Sequence, residues 1–139
     1  MGDRVVIVFH TPVRGTDYHT GKVTYAHDLS PTFYMHWSGI NAVGILQKAI
    51  KQKVLYKDLV SNAIANLVGF CGKEGVPGMA LWNTEKTFEE IQEDSFSHGD
   101  AGVILIDSKT LIASFHNGYL AKDYPRPLDL ISGKMIDID

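Results

Sequence analysis

Cysteine is almost absent from this chain of 139 residues: Cys71 stands alone, which excludes an internal disulfide framework. Proline is sparse, with five residues, and no stretch is biased enough to read as a linker, a repeat or a low-complexity tract. Long apolar runs are missing too. The longest, Val5 to Phe9, falls far short of the roughly 20 residues that span a bilayer, and no signal-peptide cleavage pattern follows it. Nor is there an excess of basic charge: 13 Lys and Arg against 16 Asp and Glu leave a net charge of −3, which argues against general nucleic-acid binding. The chain lacks a Gly-x-Ser-x-Gly elbow, a phosphate-binding Gly-rich loop and a dinucleotide fingerprint, so familiar esterase and nucleotide-hydrolysing machinery is unsupported. These absences predict a cytoplasmic protein with no membrane contact.

What is present suits a packed globular core. Apolar residues make up 45% of the chain, and its length fits a single domain over residues 1–139. Arg4 to His10 is a β-branched run, apolar on both faces and closed by Thr11-Pro12, which predicts a central strand. Arg14 to Gly21 reads as the loop behind it. Lys22 to His27 and Thr32 to Trp37 alternate polar and apolar residues and predict two more strands, separated by a turn at Asp28-Leu29-Ser30-Pro31.

Ser38 is placed to cap a helix reaching about Lys53, with Ile40, Val43, Leu46 and Ile50 at helical spacing. Asp58 is placed to cap a second, carrying Val60, Ala63, Ile64, Leu67, Val68 and Cys71 on one stripe, with Gly72 just past its end. Met79 to Trp82 reads as a short buried strand. Thr87-Phe88-Glu89-Glu90 matches a capping box and predicts an acidic helix from Phe88 to Asp94. Gly102–Ile106 and Leu111–His116 flank Asp107-Ser108-Lys109-Thr110 as a hairpin, and a last short strand is expected around Met135 to Ile138. This order predicts an α+β fold, a mainly antiparallel sheet with two consecutive helices packed on one face.

Six histidines stand out, and His10, His19, His27 and His36 recur in the strand-rich first quarter. Adjacent strands would bring some of them together, but no His-x-His, His-x-Glu-x-x-His or Cys-x-x-Cys pairing supplies local metal-ligand spacing, so neither metal nor cofactor is called for. Cys71 reads as a buried structural thiol because it lies on an apolar stripe. Ser97-His98-Gly99-Asp100 reads as a hydrogen-bonded turn, with acid–base work as its alternative. Lys48, Lys51, Lys53 and Lys57 form a positive cluster, suited to phosphate, and Glu85, Glu89, Glu90, Glu93 and Asp94 a negative one.

The most distinctive segment is Tyr34-Met35-His36-Trp37-Ser38-Gly39, a strand that runs straight into a helix N-terminus, where exposed amides favour an anion. Met35 and Trp37 read most simply as core. Through Tyr-x-His-Trp-x-Gly preceded by Ser30-Pro31, the region from Val5 to Leu46 resembles a set of small uncharacterised bacterial and phage proteins, with an echo in Asp100-Ala101-Gly102-Val103. The resemblance implies a shared fold and a phage or mobile-element origin, and nothing about catalysis.

The sequence therefore favours a non-enzymatic binding module, a homo-oligomer whose Tyr34, His36, Trp37, Ser38, Gly39, His10 and Arg14 take a small anionic or nucleotide-like ligand. Alternatively, Glu89, Glu90 and Glu93 would face a host protein. A counter-defence role, sequestering a host signal or blocking a host defence protein, follows from the resemblance. The rival class is a small hydrolase dependent on His36, His10 or His98, or on a metal.

Overall fold

The structure, a computed structural model, describes residues 2–93 and 100–137. The long β-branched run becomes β1 (Val5–Thr16), and its first half lies inside the sheet because it is apolar on both sides. β5 (Gly102–Asp107) pairs with it in parallel, Val5 opposite Gly102 and His10 opposite Asp107. On its other edge β3 (Thr32–Met35) and then β2 (Val23–Leu29) run antiparallel in succession.

The expected turn at Asp28–Pro31 is instead a bulge between β2 and β3. The register shifts by one residue between Ile7↔Phe33 and His10↔Leu29, leaving Pro31 as the extra residue. Proline suits that place because it has no N–H to give the ladder. Ser30 closes the gap: its N–H donates to the Phe9 carbonyl at 2.9 Å, and its Oγ accepts the Phe9 N–H at 2.9 Å.

The sheet continues outward from β3 to β4 (Met79–Trp82) at one end, and from β5 through β6 (Ile112–His116) and β7 (Leu128–Asp129) to β8 (Lys134–Met135) at the other. β5 and β6 form the expected hairpin. The final strand is confined to Lys134–Met135, and Ile138 lies outside the described residues. Gly102 and Gly118 sit back to back where the chain leaves β6. Gly102 has φ +93°, and a Cβ there would overlap the His116 carbonyl oxygen, so no larger residue fits.

Two helices, α1 (Ala42–Lys51) and α2 (Val60–Lys73), cover one face of the sheet. Leu46, Ala49, Ala63, Ile64, Leu67 and Cys71 pack there against Val5, Ile7, Phe9, Ile104 and Ile106 in one buried cluster. The fold is α+β, as the order of elements predicts, and its sheet is antiparallel except for the β1–β5 pair.

The opposite face is lined by the alternate residues Val6, Val8, Val103 and Leu105 and covered by the short α3 (Phe88–Gln92) through Ile91 and Phe88. Thr87 caps α3 as expected, its Oγ1 accepting the Glu90 N–H while Glu90 Oε1 accepts the Thr87 N–H.

Several elements depart from expectation. Arg14 to Thr16 extend β1 instead of opening a loop, and together with β2 they form a two-stranded arm projecting past the end of β5. α1 begins at Ala42 after Asn41, so Ser38 is not its cap, and α2 begins at Val60 after Leu59. Asp58 still serves α2, accepting from the Leu59 N–H at 2.7 Å and from Asn62 Nδ2 at 3.2 Å. α2 runs on through Gly72 and Lys73, and Gly75, at φ +75°, takes the left-handed position beyond it. β4 is exposed along its whole length because it lies at the sheet's end, not in its middle. A fourth helix, α4 (Tyr119–Asp123), gave no cap signal in the sequence.

Candidate functional site

The alternation of β3 and β4 puts Tyr34 and Trp82 on the α3 side of the sheet, their rings 5.5 Å apart. Where β3 ends, His36 turns its ring to Tyr34, and Nδ1 lies 2.5 Å from the phenolic oxygen. The chain can close in this way because Gly2 leaves room for the imidazole: a Cβ there would come within 2.7 Å of His36 Nε2. Trp37 follows edge-on to His36, with ring centroids 4.4 Å apart. Tyr34, His36, Trp37 and Trp82 thus form one aromatic patch at the β4 end of the sheet. Met35 is fully buried as expected, but Trp37 is 50% exposed and is not a core side chain.

The turn that leads into α1 beside this patch already holds a carboxylate. Asp3 supplies it: Oδ2 accepts the Ile40 N–H at 2.7 Å, and the Asp3 carbonyl accepts the Gly39 N–H at 2.8 Å. The amides of Asn41 and Ala42 donate to the carbonyls of Ser38 and Gly39. Gly39 is required because a Cβ would collide with Asp3 and Ala101, and Ser38 is buried in the same turn. Tyr119 completes the clamp, donating from its hydroxyl to Asp3 Oδ1 at 2.6 Å. Burial, that hydrogen bond and the neighbouring Asp3, Asp100 and Asp123 raise the Tyr119 pKa, so the surroundings are negative. One amide of this turn, that of Ile40, holds the protein's own carboxylate, and those of Gly39, Asn41 and Ala42 hold backbone carbonyls.

The other expected ligand residues lie elsewhere. His10 is on the same face as Tyr34, but four residues beyond Tyr34's partner Val6 along β1, or roughly 13 Å. There it belongs to a second cluster with His27 and Phe88. The His27 and Phe88 rings stack at 3.7 Å, and His10 lies 5.4 Å and 4.7 Å from them. Burial pushes the His10 pKa down to about 4, against the opposing pull of Asp107 and with help from His27 and His116. Its Nδ1 is buried without a hydrogen-bond partner. Arg14 lies further out, exposed on the arm opposite Tyr25, and joins neither cluster.

Of the acidic residues, Glu89 and Glu93 are exposed, whereas the Glu90 carboxylate serves the α3 cap. Among the lysines, Lys48 lines a groove of about 390 Å³ between α1 and α2 and is paired with Glu74 at 2.6 Å, so its charge is already met.

Sequence reading missed two contributors, Asp3 and Trp82, whose partners are remote along the chain. It also missed the contact of His116 Nε2 with Ser114 Oγ at 3.0 Å on β6, although a His two residues after a Ser on one strand is a visible signal. His98 lies outside the described residues. Among those that are described, no three His, Cys, Asp or Glu side chains converge as a metal-holding group. No helix of the described chain is long and apolar enough to cross a membrane.

Fold and site together define an α+β domain with one sheet face sealed by helices and the other bearing aromatic and imidazole groups. No known protein family, curated protein or solved structure matches the chain.

Proposed function

We propose that this protein is a non-enzymatic, cytoplasmic binding module that works as a homo-oligomer and takes a nucleotide-like ligand by its planar base. The observation that carries this reading is the Tyr34–His36–Trp37–Trp82 patch, in which stacking rings adjoin a hydrogen-bonding imidazole. The base is the part of the ligand recognised, since the Asp3 carboxylate, bonded to the Ile40 amide, places negative charge where a phosphate would approach this turn. The likeness to phage and bacterial proteins gives the biological direction: a phage or mobile-element product that removes a host signal.

Both tryptophans of the chain, Trp37 and Trp82, belong to the patch, so fluorescence excited selectively in the tryptophan band reports on it alone. Titration with nucleosides and the matching nucleotides should quench that fluorescence to similar extents, and Trp82→Leu should weaken binding at least tenfold. Saturable binding that needs the phosphates, or no binding to any nucleoside or nucleotide, would reject the reading.

A second reading, a histidine-dependent hydrolase, is favoured by the Ser114–His116 contact. Burial holds the His116 pKa below its usual value, so its neutral imidazole can accept the Ser114 proton. Covalent labelling of Ser114 by a fluorophosphonate, lost in His116→Ala, would establish it; an unlabelled protein would remove it.

A further inference from the structure

We propose that β4 is the seam of a two-fold dimer in which two sheets join edge to edge. β4 ends the sheet, and no strand among the described residues pairs with its outer edge. Met79, Leu81 and Trp82 are all exposed large apolar residues there. Solitary edges are normally blunted by lysine, proline or an inward charge, and Met79-Ala80-Leu81-Trp82 carries none of these.

The hydrogen-bond phase fixes which groups point outward. The His36 N–H donates to the Gly78 carbonyl at 3.0 Å, which sets the phase of the ladder at its start: residues 36 and 78 stand at a bonded position. Antiparallel ladders alternate bonded and non-bonded pairs, which makes Met35↔Met79 and Phe33↔Leu81 non-bonded. The N–H and C=O of Met79 and Leu81 therefore face away from β3.

The occupant that matches this edge is a second copy of the same strand. A two-fold axis perpendicular to the sheet at Leu81 makes the two Leu81 residues a bonded pair, each donating its N–H to the other's carbonyl. The same register sets Trp82 of each copy opposite Ala80 of the other, so the largest side chain on the α3 face meets the smallest. Antiparallel pairing about this axis keeps like faces on the same side. Tyr34 stands beside Trp82, so the aromatic patches of the two copies would form a continuous floor across the seam.

This gives the proposed homo-oligomer its interface, but it stands on the edge geometry and not on the ligand. A dimer that binds no nucleotide would reject the ligand, and a monomer that binds one would reject the seam. A four-residue seam is small, so dissociation on the order of micromolar is expected.

Sedimentation equilibrium of the whole chain should show a species of twice 15.4 kDa. Leu81→Pro removes an outward N–H that the β3–β4 ladder does not use, and should weaken the dimer at least tenfold with the far-UV circular dichroism unchanged. Leu81→Lys places two ammonium groups directly opposite one another and should do the same if the proline variant misfolds. A chain monomeric up to about millimolar concentration, or a dimer indifferent to both substitutions, would overturn the proposal; so would capture of a foreign extended peptide by a monomeric chain.

Discussion

The two faces of this sheet are made by alternate residues of the same strands, yet they differ in chemistry. On one face Val5, Ile7, Phe9, Ile104 and Ile106 meet α1 and α2 in a core where, among the described residues, Cys71 is the one fully buried ionisable side chain, with Tyr119 and Tyr124 packed at its margin. On the other, Val6, Val8, Val103 and Leu105 give way toward the two ends of the β1–β5 ladder to Tyr34 and His36 on one side and to His10, His27 and Asp107 on the other. The cause is coverage. Two helices of ten and fourteen residues exclude water from the first face, whereas α3 has five residues and shields only a strip of the second. The larger buried cluster thus lies on one side and the aromatic and imidazole groups on the other.

The largest effect should come from opening the first face. Leu46 is fully buried between α1 and the sheet, and Leu46→Ala leaves a cavity that the packed helices cannot fill by collapse. Urea denaturation should show a loss of about 2–5 kcal/mol, while nucleoside quenching of Trp37 and Trp82 is retained under conditions where the variant is folded. A loss below 1 kcal/mol would mean that α1 can shift to close the gap.

Next in size is the clamp that anchors the start of α1. Asp3→Ala strands the Ile40 N–H and the Tyr119 hydroxyl together, at an expected cost of about 1–3 kcal/mol, and Tyr119→Phe should cost less because it removes one bond and strands no amide. Equal losses in the two variants would show that the Ile40 amide finds water at no penalty.

These anchors also mark what the sequence could and could not reveal. The alternation of Thr32 to Met35, the capping box at Thr87 and the hairpin around Asp107–Thr110 are local signals, and the structure follows them. Asp3 acts on residues 37 and 116 positions away, and no local pattern encodes such a contact. The arm was hidden because Thr11-Pro12 reads as the close of a strand and Arg14 to Gly21 as a loop. β1 tolerates Pro12 because β5 ends opposite His10, so beyond that point one side of β1 has no partner to lose. The short apolar run at Met79 to Trp82 reads as buried only if its strand is central, and strand order is not a local property.

A smaller and reversible effect separates the faces by pH. His10 titrates near 4 when folded and at its ordinary 6.5 when unfolded, so as pH falls the unfolded chain takes up its proton first. The stability that neutral His10 contributes is complete above pH 6.5 and is lost progressively toward pH 4; His116, also lowered by burial, acts in the same direction. Denaturation midpoints should decline across that window. His10→Phe, which keeps a ring against His27 and Phe88, should flatten the decline, and an unchanged slope would show that the burial of His10 does not govern it.

The smallest expected effect is a null one, and it tests how well the first face is sealed. Burial in α2, with Glu74 nearby, pushes the Cys71 thiol up to about 11, so almost none of it is thiolate at neutral pH. Iodoacetamide should leave the native protein unmodified on the timescale that fully labels it in denaturant, because reaction requires both an exposed sulfur and an ionised one. Any labelling that does occur should keep pace with global unfolding and quicken in Leu46→Ala. Rapid alkylation of the native wild type would mean that α2 opens separately from the sheet, and the contrast between a sealed and an open face would fail on its stronger side.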